Sequence, residues 1–381
     1  MDKAVFEEFD KALGSLKGKA PNLNAFMGFD GFIDEIIAVV TKREDAHNYS
    51  AFTTISEFGD RIKSAAGKSS NIELVTKQAK IGGNGPIMGL SLASLGVKLT
   101  YTGALGENAV NPVFKKLEDK CQKVYSLCES GHTDALEFND GKLMLGKLES
   151  LKEVNWENIV KTLGQDELDK LISSSDCFAF VNWTMLPYMT DIWRELNKAF
   201  ETLKPERNFP VFIDLADFEK RTADDCLEAI EVMKEMNKYA IVTLGLNLSE
   251  GQQMGKLLGY NVSSEQDMDT VKELAAFIQK ETGLEAICVH PRDFAVAADA
   301  DGTYGAYGPY TDKPKISTGA GDHFNAGYFC GTLIGLSQQQ SLTLGVLNSG
   351  YYVRTAISGS LDDLHNFAGL WSEGKSEDVR C

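Results

Sequence analysis

The chain has 381 residues, 43% apolar and 24% charged, with a formal net charge of −17. Those fractions are globular rather than disordered, and the acidity argues against nucleic acid as a partner, since a nucleic-acid binder shows a basic face. No apolar run approaches the roughly 18 residues of a membrane span, and the charged N-terminus MDKAVFEEFDKALGSLKG lacks an apolar signal core.

Seven scattered cysteines form no C-x-x-C pair, which points to a reducing compartment and a soluble, cytoplasmic protein. In chain order, strand-like runs occupy Ala25–Phe29, Leu99–Ala104, Cys177–Val181, Val211–Ile213, Ala240–Leu244, Ala286–Val289 and Phe294–Ala298. Helical patterns lie among them at Thr190–Leu203, Ala223–Asn237, Asp267–Lys280 and Leu342–Ile357. Such alternation implies crossover units: an α/β fold with a mainly parallel central sheet flanked by helices.

Two regions break the rhythm. Strand-like runs at Ile36–Val40 and Asn71–Ile81 flank a polar, helix-like insert, and Thr133–Leu148 reads as a hairpin turning at Asn139-Asp140-Gly141. A small β-lid built from about 34–80 and 130–149, inserted in one domain spanning 1–381, accounts for both. An exposed lid face would also offer a surface for a homodimer.

Four stretches fall where an open sheet binds ligands, beyond the carboxyl ends of its strands. After the first strand comes GFDGFID, in which Asp30 and Asp34 can accept bonds from hydroxyl groups; otherwise they are a turn and a helix-cap aspartate. In KIGGNGPIMG, Gly82, Gly83 and Gly85 let a ligand approach the backbone and Asn84 offers donor and acceptor. The stretch is neither a dinucleotide fingerprint nor a Walker loop. Asn247-Leu-Ser-Glu250 has capping-box spacing, and at a strand end the same pair can organise water around Mg²⁺. In STGAGDHFNAGYFCG, Gly319, Ala320 and Gly321 aim amides at one point ahead of Asp322. Asp322 then serves either as helix cap or as base. Beyond it Gly327, Gly331 and Gly335 give the helix a smooth side for close packing.

In this order and spacing, GGNGPIMGLSLASLG, NLSE and STGAGDHFNAGYFCG resemble the ribokinase-like (PfkB) carbohydrate kinases, as do GFDGFIDEI and YTGALGEN. The resemblance runs from about Asn24 to Ser358 and implies a three-layer sandwich with a β-lid. The implied activity is transfer of the γ-phosphoryl of ATP to an alcohol group of a sugar-like small molecule. Carried over, Asp322 is the general base and Gly319-Ala320-Gly321 the anion hole. Asp30, Asp34, Gly82, Gly83 and Asn84 hold the acceptor. Asn247 and Glu250 support Mg²⁺ through water and the nucleotide phosphates, and the stretch near Asn348 approaches the adenine.

The sequence departs from the family in three places. Ile316-Ser317 stands where many members carry Asp-Thr, which weakens the case for a K⁺ site. Ile87 replaces an Asn common after the glycines, and His290-Pro-Arg-Asp293 replaces a G-x-x-G, with Arg292 a substitute phosphate contact. GFDGFID and CVHPRDFAV also resemble ADP-dependent sugar kinases, usually longer chains. A nucleoside kinase, an ADP-dependent sugar kinase or a catalytically silent ligand-binding relative are the alternatives.

Overall fold

The computed structural model describes residues 3–379, so Cys381 lies outside the described residues. The strands are β1 Asn24–Phe29, β2 Phe32–Arg43, β3 Tyr49–Ala51, β4 Leu74–Gly82, β5 Lys98–Gly103, β6 Lys123–Ser126 and β7 Gly131–Phe138. They continue with β8 Gly141–Lys147, β9 Cys177–Val181, β10 Pro210–Asp214, β11 Ile241–Asn247, β12 Ala286–His290, β13 Phe294–Asp299 and β14 Gly302–Tyr307. Nine form the main sheet in the order β14-β13-β12-β11-β10-β9-β1-β5-β6. All its pairs are parallel except β12–β13 and β13–β14. The short KVYS of β6 and the glycine-rich GTYGAY of β14 are the two main-sheet strands that the sequence pattern does not flag.

Alternation along each strand loads both faces of this sheet. Phe26, Phe178, Phe180, Val211 and Ile213 face one core, against helices Met189–Leu203, Ala223–Met236 and Met268–Thr282. Ala25, Met27, Cys177, Ala179 and Phe212 face the other, against helices Asn84–Ser94, Ala320–Ile334 and Gln338–Thr355. The first face is aromatic: Phe178 meets the rings of Phe200 and Phe209 at 4.9 and 5.4 Å. Helices on both faces of a largely parallel sheet give the expected three layers. Among the described residues no helix is long and apolar enough to cross a membrane.

The second sheet contains β3, β2, β7 and β8, with β4 also paired to β2. It carries its own small core of Ile37, Val39, Phe58 and Leu136, closed by helix Ile55–Ser64. Its strands cover 32–82 and 131–147, around the segments read from the sequence as a lid. β1 runs into β2 through Asp30 and Gly31 alone, and β4 returns through Gly83 into helix Asn84–Ser94. That topology sets the lid at the carboxyl end of β1, on one rim of the main sheet. Asp34, read as a helix cap or a ligand contact, lies in β2 and is no cap.

Candidate active site

Where the lid faces the carboxyl ends of β9 to β12, a cavity of about 370 Å³ opens. The lid contributes Phe32, Asp34 and Thr133. Asn182 follows β9, while Asp214, Asn247 and His290 are the last residues of β10, β11 and β12. Two helix starts add Gly83 with Asn84 and Gly321 with Asp322. No lysine or arginine lines it, although Asp34, Asp214, Asp217, Glu250 and Asp322 do.

The start of helix Ala320–Ile334 differs from those of seven helices in this chain. Thr54, Asn155, Thr222, Asn247, Asp267, Ser337 and Ser360 each cap a helix with a side chain. At Gly319, which has φ 90°, no side chain does so. Asp322 is therefore not a cap; it sits in the first turn, with Oδ1 accepting a 2.9 Å bond from Asn84 Nδ2. The Ala320 amide turns to Ser317 O at 3.2 Å. The Gly321 amide has no partner among the described residues. An uncapped helix start, half-buried at Gly319, Ala320 and Gly321, is what an anion would fill. Burial, with the nearby charges of Asp30 and Glu250, pushes the Asp322 carboxyl up to about 8, against the Asn84 bond that lowers it.

Asp214 is a second buried carboxylate that motif reasoning missed. Its oxygens accept from Asn325 Nδ2 at 2.7 Å and Ala216 N at 2.8 Å. Burial, then Glu250 and Asp322, hold its proton well above the ordinary range. Glu250 forms the expected capping box: it accepts from Asn247 N at 2.8 Å, and Asn247 Oδ1 from Glu250 N at 3.0 Å. Its other oxygen takes the Asp217 amide at 2.8 Å. Burial raises this carboxyl as well, while those amide bonds lower it. Each oxygen still has a lone pair for water. Among the described residues no group of three or more His, Cys, Asp or Glu is arranged to hold a metal by itself. A cation held by one or two carboxylates, waters and phosphates is the mode Mg²⁺ uses, and three uncompensated carboxylates fit that ion.

On the lid side, Asp34 is 6% exposed. Burial raises its carboxyl, and the Thr133 hydroxyl and the charges of Lys80 and Lys142 pull it down. Asn182, in left-handed backbone, gives its Nδ2 to Asp30 at 2.6 Å and leaves a buried Oδ1 with no partner. Asn182 also lines the polar cavity.

Three residues expected to touch ligand line neither this cavity nor the one that adjoins it. Asp30 is wholly buried beneath the cavity, where it takes the Gly85 amide at 2.8 Å, Asn182, and the Tyr101 hydroxyl at 3.3 Å. It caps helix Asn84–Ser94 from a neighbouring loop, a position that Gly83 cannot fill with a side chain. Gly82 pairs with Phe32 and leaves room for Asp34, whose carboxylate would lie 2.6 Å from any Cβ there. Asn348 is 0% exposed and gives Nδ2 to Ser91 Oγ at 2.8 Å and His323 O at 2.6 Å, tying three helices together. Its neighbours Val346, Ser349, Gly350 and Val353 line the adjoining cavity instead.

That adjoining cavity holds about 1060 Å³. Apolar walls come from Phe294, Pro309, Tyr310, Phe324 and Val346, with Gln252, Gln266 and Arg292 as polar groups. Size and lining suit a nucleotide. Arg292 is exposed and makes no hydrogen bond or ion pair among the described residues. Ile87, the departure beside the glycines, packs against Gly319, at 3.1 Å from a Cβ placed there. The two cavities share Asn247, His290 and Gly321.

Residues 1–370 match the family described as prokaryotic ketohexokinase. A ketohexokinase from Haloferax volcanii is 27% identical over 369 residues, 96% of each chain. A solved carbohydrate kinase from Agrobacterium tumefaciens superposes with a TM-score of 0.62 at 16% identity, over 91% of this chain and 97% of its own. A ribokinase from Cryptococcus neoformans in complex with ADP gives 0.62 at 14%, over 90% and 98%. At those identities the structural likeness is one of fold, the ribokinase-like sandwich that the motif series implies. The family match extends through almost the whole sequence, and the chain belongs to the prokaryotic ketohexokinase family.

Proposed function

We propose that the chain transfers the γ-phosphoryl of ATP to a hydroxyl group of a ketohexose, with Asp322 as general base. The observation that carries this is an uncapped, half-buried helix start with a buried carboxylate in its first turn, set at the junction of a small polar cavity and a larger one. The smaller cavity takes the sugar. Asp34, Thr133, Asn84, the Gly83 backbone and Asn182 bond its hydroxyls. The larger cavity takes the nucleotide, with Arg292 beside its phosphates.

The acceptor oxygen bonds to the γ-phosphorus as the bond to the β,γ-bridging oxygen breaks. Its proton passes to Asp322, and ADP leaves. The Gly321 amide receives charge on the transferring group, the positioning and electrostatic work that dominates phosphoryl transfer. Asp214 and Glu250, with Asn247, would hold Mg²⁺ through water. When bound, the ion neutralises charge on the β- and γ-phosphates. Lid closure over the sugar excludes water and so limits hydrolysis of ATP.

Coupled detection of ADP across ketohexoses, aldoses, sugar phosphates and nucleosides, with Mg²⁺, tests the proposal. A ketohexose is expected to give the highest kcat/KM. Absence of ketohexose turnover, or a nucleoside preferred by about tenfold or more, would overturn the assignment. Turnover with ADP but not ATP as donor would overturn the nucleotide.

A further inference from the structure

We propose that the imidazole of His290 donates a hydrogen bond to the phosphoryl group as it crosses from the nucleotide to the sugar. The proposal rests on the phosphotransfer proposed above and adds a catalytic residue to it.

His290 ends β12 and is one of the three residues that line both cavities, so it stands at the neck between them. Of the other two, Gly321 offers only backbone, and Asn247 has its Oδ1 held by the Glu250 amide at 3.0 Å and keeps its Nδ2 as a donor. Neither nitrogen of His290 is bonded to another residue; the ring's hydrogen bond is to its own backbone. The ring is nevertheless fixed in place. It lies against Phe324, with centroids 4.7 Å apart and 32° between planes, and its Cε1 would sit 3.2 Å from a Cβ at Gly321. The helix that presents Asp322 and the free Gly321 amide thus also holds this ring.

Polarity favours the role. The cavity wall carries five acidic side chains and no lysine or arginine. A cationic side chain at the neck would pair with those carboxylates. A neutral imidazole does not, and it always keeps one N–H to give. Burial holds the ring in that neutral form by pushing its pKa down to about 4. No other residue fixes the tautomer and only the residue's own carbonyl competes for the ring proton, so the proton can occupy whichever nitrogen faces the phosphoryl oxygens. A donor aimed at charge that develops in transit acts on the transition state more than on either bound substrate.

His290→Phe retains a flat ring against Phe324 and removes the donor; His290→Gln restores an N–H of similar reach. His290→Phe is expected to lower kcat by about 10²-fold, with KM for ATP and sugar within about threefold. His290→Gln should recover part of the loss. Binding of ADP alone should be unchanged in His290→Phe, whereas ADP with aluminium fluoride and the sugar, a mimic of the transferring group, should bind about 10²-fold more weakly. A His290→Phe enzyme within about threefold of wild-type kcat, or one that loses only ATP affinity, overturns the proposal. So does equal loss in both variants while ADP binding and thermal melting stay intact. Wild-type turnover on a ketohexose tests the underlying activity separately, because the His290 result is a ratio to wild type.

Discussion

Asp322 occupies a site that penalises its charged form, and both activity and stability should record that. Its carboxyl is pushed from the ordinary 3.8 up to about 8, chiefly by burial. A base must be ionised, so kcat/KM in the free enzyme should climb with pH through about 8. Bound Mg²⁺ would draw the rise to lower pH. The stability effect runs the other way. Between the unfolded and folded values the native state keeps a proton that the unfolded chain has released, so stability falls as pH rises across that window. Asp322→Asn removes that penalty and should melt higher than wild type near pH 8, with a flatter dependence of melting temperature on pH. Asp30, raised to about 6 for the same reason, leaves some slope behind. A lower melting temperature for Asp322→Asn at every pH would contradict the assignment of burial as the cause.

The loop before Asp322 bears on the K⁺ question left by Ile316-Ser317. His323 Nδ1 lies 2.7 Å from the Gly319 carbonyl, and the Tyr352 hydroxyl donates to Thr318 O at 3.2 Å. The His323 and Tyr352 rings stack at 3.6 Å, and His323 Nε2 lies 2.9 Å from Ser358 Oγ. Carbonyls already held by protein donors are poor cation ligands. Replacing K⁺ by tetramethylammonium at constant ionic strength is expected to leave turnover unchanged; strong activation by K⁺ would show that the loop rearranges.

At the scale of elements, helix Ala320–Ile334 and the lid make separable predictions. A Cβ at Gly327 would lie 2.8 Å from Leu344 O and one at Gly331 2.8 Å from the Ser341 backbone, both in helix Gln338–Thr355. Gly331→Leu should therefore destabilise by about 1–3 kcal/mol through overpacking, read as a lower denaturant midpoint with the same slope. The expected smooth face is real at Gly327 and Gly331. Gly335 instead ends the helix in left-handed backbone at φ 92°. On the lid, Thr133→Val should raise the KM for sugar while leaving ADP affinity unchanged, because Thr133 lines only the smaller cavity. A matching loss of ADP affinity would place it outside the acceptor site.

Across the whole molecule, the layers were readable because burial on both faces of a parallel strand leaves short, continuous apolar runs. CFAFV divides cleanly, with Phe178 and Phe180 in one core and Cys177, Ala179 and Val181 in the other. Glycine marks a backbone need at Gly83 and Gly319, and the polar residues read beside such turns and strand ends, Asn84, Asp322, Asp34, Asn247 and Glu250, line the cavity. Asp214, Asn182 and His290 end strands or follow them, and the rule that ligands lie beyond carboxyl ends points to such positions. What the sequence lacks is orientation. Asp30 and Asn348 are polar and well placed along the chain, yet their side chains turn inward to satisfy buried amides and carbonyls. Pattern alone does not distinguish a polar group facing a cavity from one tying the core.

Phosphoryl transfer from ATP to a ketohexose, followed in a single turnover for wild type and Asp322→Asn with Mg²⁺, tests the central claim most directly. The proton-acceptor role predicts a loss of about 10²–10⁴-fold in the chemical step, in a variant that binds ADP normally and melts no lower than wild type. Transfer by folded Asp322→Asn at a rate within about threefold of wild type would contradict it.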